Sequence, residues 1–144
     1  MLSICFCSNY QHTLESGDVF YLFFQNIKIN DLQMNFFLNK EQLEVQEILP
    51  GIEGRFIHME NMTVGHFILR KGAVLPKHHH PHEQVTNVLS GELKMTVDGK
   101  THICRAGDIV SIPSGVSHEG EALTECMVID VFQPVREDYK INHE

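Results

Sequence analysis

GAVLPKHHHPHEQVTNVLSGELKMTVDGKTHICRAGDIVSIPSGVSH, residues 72–118, alternates short β-type runs with glycine-centred turns. Strands are predicted at Gln84 to Leu89, Leu93 to Val97, Thr101 to Cys104 and Ile109 to Ile112, with turns at Ser90-Gly91, Asp98-Gly99 and Ala106-Gly107. Asp98-Gly99 is the strongest signal, because both central residues of a type I′ hairpin turn need positive φ and this pair tolerates it. The pattern continues outward. Gln42 to Leu49, Gly54 to Met59 and Thr63 to Leu69 precede it, and Cys126 to Phe132 follows the turn at Pro113-Ser114-Gly115. Nowhere do apolar residues recur at helical spacing for more than about two turns. The expected fold is all-β, a sandwich or a barrel that closes its own edges.

The 144-residue chain is the size of one domain, with 42% hydrophobic residues and no apolar run long enough to cross a bilayer. No membrane span is expected. A formal charge of -8 with no Lys/Arg cluster disfavours nucleic acid and anionic lipid as partners. Cys5, Cys7, Cys104 and Cys126 form no CxxC pair and no dense disulfide framework, which points to reduced thiols and a cytoplasmic setting. Residues 1–33 differ in character, with an aromatic run at Val19 to Phe24, little regular patterning and a second methionine, Met34, just after them. They read as an N-terminal extension. It is either a natural arm that adds a strand or packs on a partner, or an upstream start; the second is preferred, because residues 34–144 are complete as a domain.

Within the opening stretch, HHHPHEQ concentrates metal-ligating side chains. Strand alternation puts His78 and His80 on one face and His79 on the other. Pro81 interrupts the ladder; if parity survives it, Gln84 joins the face of His78 and His80, and Glu83 does not. His82 has the same parity but adjoins the proline turn. Two histidines at i and i+2 need a further ligand from elsewhere, and His118, beyond the Pro113-Ser114-Gly115 turn that swings the next strand inward, is the candidate. The bland alternative is a solvated polar loop. His12, His58, His66, His102 and His143 lack such a context and read as surface or core-edge residues.

A second set of candidates closes the chain in ECMVIDVFQPVREDY, residues 125–139. Cys126, Val128, Asp130 and Phe132 share one strand face. Asp130 is then either a rim residue hydrogen-bonded to a turn or a functional acid in the cavity. Arg136 either pairs with Asp130 or offers its bidentate fork to a substrate carboxylate.

These pieces form one long pattern. Gly72, His78, His80, Gln84 and Gly91, then Gly107, Pro113, Gly115 and His118, are spaced very similarly to the two consecutive motifs of the cupin superfamily. Gln84 replaces the usual Glu and Ala122 the usual Asn. The resemblance implies a cupin barrel, that is a double-stranded β-helix or jelly roll, over residues 34–144. More closely, HPHEQ, VLSGEL, PSGVSH and the D-x-F-x-x-x-R-E-D-Y ending resemble the KdgF family, cupins found among enzymes of pectin and alginate degradation. That resemblance implies one divalent transition metal (Ni, Zn, Fe, Mn or Cu) on His78, His80, Gln84 and His118. Asp130, Phe132 and Arg136 fall on the family's functional positions, Asp130 and Arg136 as catalytic residues and Phe132 with Arg136 as substrate-binding ones. The implied reaction converts 4,5-unsaturated monouronates into open-chain keto sugar acids, and the implied assembly is a homodimer. Two other readings stand beside it: a sensor cupin that binds a uronate without turnover, and a mononuclear metal dioxygenase, which a neutral Gln84 in place of a carboxylate disfavours.

Overall fold

The computed structural model describes residues 37–140. The extension predicted at residues 1–33 lies outside the described residues, as do Cys5, Cys7, His12 and His143. Ten strands run in the described part: β1 Gln46–Leu49, β2 Ile52–His58, β3 Thr63–Leu69, β4 Val74–His78, β5 Glu83–Ser90, β6 Leu93–Val97, β7 Lys100–Cys104, β8 Ile109–Ile112, β9 His118–Ala122 and β10 Cys126–Gln133. A 3-10 turn at Lys40–Gln42 precedes them and another at Glu137–Tyr139 follows. One sheet is ordered β1-β2-β3-β10-β5-β8 and the other β4-β9-β6-β7. All pairs are antiparallel. The chain thus folds as the all-β jelly roll expected, with β10 inserted between β3 and β5, and β9 between β4 and β6.

Period-two burial runs cleanly along β3 and β10, where Thr63, Gly65, Phe67 and Leu69 face inward beside Cys126, Val128, Asp130 and Phe132. Across from them, β6 and β9 contribute Leu93, Met95, His118, Gly120 and Ala122. Cys104 and Cys126 are free, buried thiols. Burial pushes both up from the ordinary thiol range, so they pack as small apolar groups.

Three differences from the expected strands have physical causes. The predicted strand from Gln42 shortens to β1, because Asn39 caps a 3-10 turn: its Oδ1 accepts from Glu41 N–H at 3.0 Å, while Gln42 Oε1 accepts from Asn39 N–H at 3.0 Å. β4 is not signalled by the pattern because Pro76 interrupts it; as an edge strand it tolerates the missing N–H. β9, HEGEA, has no β-branched or aromatic residue, yet lies between two strands and buries His118, Gly120 and Ala122.

Glycines on β2 and β3 shape one end of the barrel. Gly54 pairs with Phe67 and Gly65 with Phe56, and a Cβ on either glycine would stand 2.6 Å from a phenyl carbon. The two rings meet edge to face at 5.4 Å, and Tyr139 lies 4.6 Å from Phe56. This aromatic floor fixes the C-terminal segment that carries Arg136.

Gly91, at the turn between β5 and β6, has φ +86°, and a Cβ there would stand 2.2 Å from the Glu125 carbonyl oxygen. Gly99 has φ +74° with open space around it. Gly99→Ala is therefore expected to cost only the left-handed penalty, about 1–2 kcal/mol. Gly91→Ala adds overpacking of about 1–3 kcal/mol. Urea unfolding of both variants checks this; equal losses would refute the close approach.

Candidate metal centre

Three histidines from two neighbouring segments converge at one end of the barrel. His78 ends β4 and is registered opposite His118 at the start of β9, after a bulge between Leu75 and His78. His80 follows in the link to β5. The ring centroids of His78 and His118 are 4.2 Å apart, those of His80 and His118 5.0 Å. One ring nitrogen of each lies within 4.8 Å of those of the other two.

Their hydrogen bonds fix which nitrogen is available. Nδ1 of His78 donates to the Pro76 carbonyl at 2.9 Å, Nδ1 of His118 to that of Val116 at 2.9 Å, and Nδ1 of His80 to that of His82 at 3.1 Å. A carbonyl only accepts, so each neutral ring carries its hydrogen on Nδ1 and its lone pair on Nε2. Nε2 of His118, whose residue is 1% exposed, is buried without a partner.

Gln84 completes the group. It is 5% exposed on the inward face of β5, whereas Glu83 points outward and is exposed. Its Nε2 donates to Thr86 Oγ1 at 2.9 Å and to Asp130 Oδ2 at 3.1 Å, so its Oε1 is the atom on the histidine side, 3.0 Å from His80 Nε2. With its hydrogen on Nδ1, His80 turns an Nε2 lone pair toward Gln84 Oε1, so that both atoms can offer lone pairs to one cation. Burial, reinforced by Arg136, His118 and His78 and opposed by the hydrogen bond to Gln84, pushes His80 down to about 4, so at neutral pH the ring is neutral. Imidazole nitrogens and an amide oxygen are donors that divalent transition metals accept. The donor set therefore fits a divalent cation.

Asp130 sits beside this group, not on the rim. It is 9% exposed, lines the same cavity as His78, Gln84 and His118, and keeps Oδ1 buried without a hydrogen-bond partner. Burial pushes its carboxyl up to about 7, against the Thr86 hydroxyl and the Arg136 charge, which hold it down. Phe132 is registered opposite Gln84 and lies 5.8 Å, edge on, from the His80 ring.

Arg136 lines the cavity and is 7% exposed, and its ion pair runs to Asp138 and not to Asp130. Its Nε and Nη2 donate to Oδ1 and Oδ2 of Asp138 at 2.9 and 2.7 Å. Tyr139, for which no role is read from the sequence, lies under the guanidinium at 3.9 Å, and Phe132 at 4.8 Å. Thr86 is likewise missed, although its parity with Gln84 in β5 signals it. His82 is half-buried beside the cluster, its Nε2 3.2 Å from the Val135 carbonyl oxygen. His79 and His102 are exposed, His66 lies on the outer face of β3, and His58 bonds Thr63 at 2.9 Å.

The sequence profile of the cupin domain matches residues 65–132. Over 99 residues the chain is 29% identical to the pectin degradation protein KdgF of Dickeya dadantii, which covers 65% of this chain and 88% of that protein. An RmlC-like cupin from Shewanella frigidimarina superposes with a TM-score of 0.70 at 32% identity, covering 74% of this chain and 96% of that one. KdgF from Halomonas sp. superposes with a TM-score of 0.69 at 28% identity, covering 75% of this chain and all 100% of that one. A jelly roll with three inward histidines and these relatives has one family assignment: the chain belongs to the cupins, and among them it is KdgF-like.

Proposed function

We propose that this protein isomerises 4,5-unsaturated monouronates, of the kind released from pectin- or alginate-type polyuronides, to open-chain keto sugar acids. The observation that carries the reading is that Gln84 links His80 to Asp130 and lines one cavity with His78, His118, Asp130 and Arg136. A histidine cluster, a buried carboxyl with one bare oxygen and a guanidinium line the same space. The pectin degradation role of the Dickeya relative supports it.

The substrate is a cyclic hemiacetal whose ring oxygen belongs to an enol ether conjugated with a carboxylate. Ring opening removes the proton of the anomeric hydroxyl, breaks the bond between the anomeric carbon and the ring oxygen, and leaves an aldehyde and an enolate. Protonation of the alkene carbon then gives the ketone, so the reaction is a net isomerisation with no co-reactant. A divalent ion (Ni, Zn, Fe, Mn or Cu) held by His78, His80, His118 and Oε1 of Gln84 would supply Lewis-acid polarisation. Because Gln84 is neutral, it leaves the full double charge of such an ion uncompensated.

Asp130 is the acid/base group of this reading. Its Oδ2 is tied to the Gln84 amide, which leaves Oδ1 to take the hydroxyl proton and return it to carbon. Arg136 holds the substrate carboxylate, and Phe132, with Tyr139, supplies the apolar wall that keeps water from the enolate.

Metal-loaded protein mixed with a freshly generated unsaturated uronate is expected to remove the ultraviolet absorbance of the conjugated alkene faster than buffer does. Decay at the buffer rate would sink the proposal, and retained uronate binding in that case would favour a sensor.

A further inference from the structure

The Arg136 guanidinium poses a problem of its own. A charge this buried must be paired, and Asp130, another acid lining the cavity, already accepts from Gln84. The counter-ion is instead Asp138, whose side chain is 58% exposed. Its two oxygens take the Nε and Nη2 donors in a planar, bidentate pair at 2.9 and 2.7 Å.

The backbone around the pair is pinned at both ends. Arg136 N–H donates to the fully buried Thr63 Oγ1 at 3.0 Å, and Tyr139 N–H closes the turn on the Arg136 carbonyl at 3.2 Å. The Tyr139 ring supports the guanidinium at 3.9 Å and is itself seated on Phe56. One fork of the planar group is therefore spent on Asp138. The Tyr139 side chain also bonds the guanidinium, and the donors of Nη1 and Nη2 that remain are what a ligand can use.

We propose that Asp138 is a positioning residue: by holding the Nε edge of Arg136, it presents the opposite edge as a preformed receptor for the carboxylate of a sugar acid. This rests on the uronate reading above, although it concerns binding and not turnover. A free arginine side chain would have to be ordered when the ligand arrives, whereas a clamped one loses little further freedom. The partial neutralisation by Asp138 weakens the long-range pull on an anion, but orientation at contact distance is what separates a carboxylate from its neutral ester.

The test compares binding of a saturated uronate, galacturonate, with that of its methyl ester, by calorimetry on metal-loaded protein. The variants are Asp138→Ala and Asp138→Asn. Wild type is expected to prefer the acid about tenfold or more, the worth of one charge-assisted hydrogen bond. Asp138→Ala should erase most of that preference, and Asp138→Asn, which keeps one acceptor oxygen, should retain part of it, with ester binding unchanged in both. In the turnover assay the same loss should appear as a raised KM with kcat within about threefold of wild type. Equal weakening for acid and ester would mean a merely structural role and would overturn the proposal. An undiminished preference in Asp138→Ala would overturn it too, as would a wild type without any preference. Because galacturonate binding needs no reaction, the outcome is readable even if the alkene assay fails.

Discussion

His118→Ala protein is expected to retain less than about a tenth of the wild-type metal content after dialysis, and to lose uronate turnover by a factor of about 1,000 or more. The reason lies in the geometry of the lone pairs. With each Nδ1 committed to a backbone carbonyl, His78, His80 and His118 each have one nitrogen left to offer, and His118 is the most deeply buried of the three. Loss even of a residue that only orients a ligand typically weakens metal binding about 10- to 100-fold, and loss of a ligand itself costs more. A buried histidine also fills space, so activity alone does not separate ion loss from misfolding. Linkage does. An ion bound only to the native state stabilises it by about 4 kcal/mol at a free concentration of roughly 1,000 times Kd. Wild type should therefore show a melting temperature that rises with added metal and falls with chelator, whereas the variant should melt at the same temperature in both. A metal-dependent shift of wild-type size in His118→Ala would remove this histidine from the centre.

The same geometry shows which parts of the site a sequence can carry. Alternation along a strand is a local property, so the inward Gln84 and outward Glu83 are legible from parity, Pro81 notwithstanding. The inward face shared by Asp130 and Phe132 follows in the same way, and so do the strands β3, β6 and β8, whose ends match their expected positions. What lies beyond local pattern is pairing. β9 holds its place because β4 and β6 flank it, although its own residues favour no strand. Arg136 finds Asp138, two residues away, because a turn capped on Thr63 from the far side of the chain folds the two together. Whether Asp130 sits on the rim or in the cavity depends likewise on Gln84, 46 residues away, which reaches its carboxylate.

Asp130→Asn is expected to lower kcat by about 100- to 10,000-fold, the usual contribution of a positioned acid/base group, while keeping the bound metal. The substitution preserves the shape. An asparagine can turn its carbonyl oxygen toward Gln84 Nε2 and so keep the 3.1 Å bond, leaving the Gln84 carbonyl oxygen directed at the histidines. What it removes is the oxygen to which the proposed reaction assigns the proton. It also removes a carboxylate confined beside an apolar wall with Oδ1 unpartnered, a placement that costs desolvation energy without a compensating bond. A group placed for chemistry at the expense of folding should leave a more stable protein when its charge is deleted. The variant should accordingly melt no lower than wild type while being nearly inactive. Metal analysis, thermal melts and the alkene assay on one preparation test all three statements together. A variant that keeps wild-type kcat would mean that another group moves the proton. One that is inactive but also metal-free would instead make Asp130 a support for Gln84, acting through the ligand and not on the substrate.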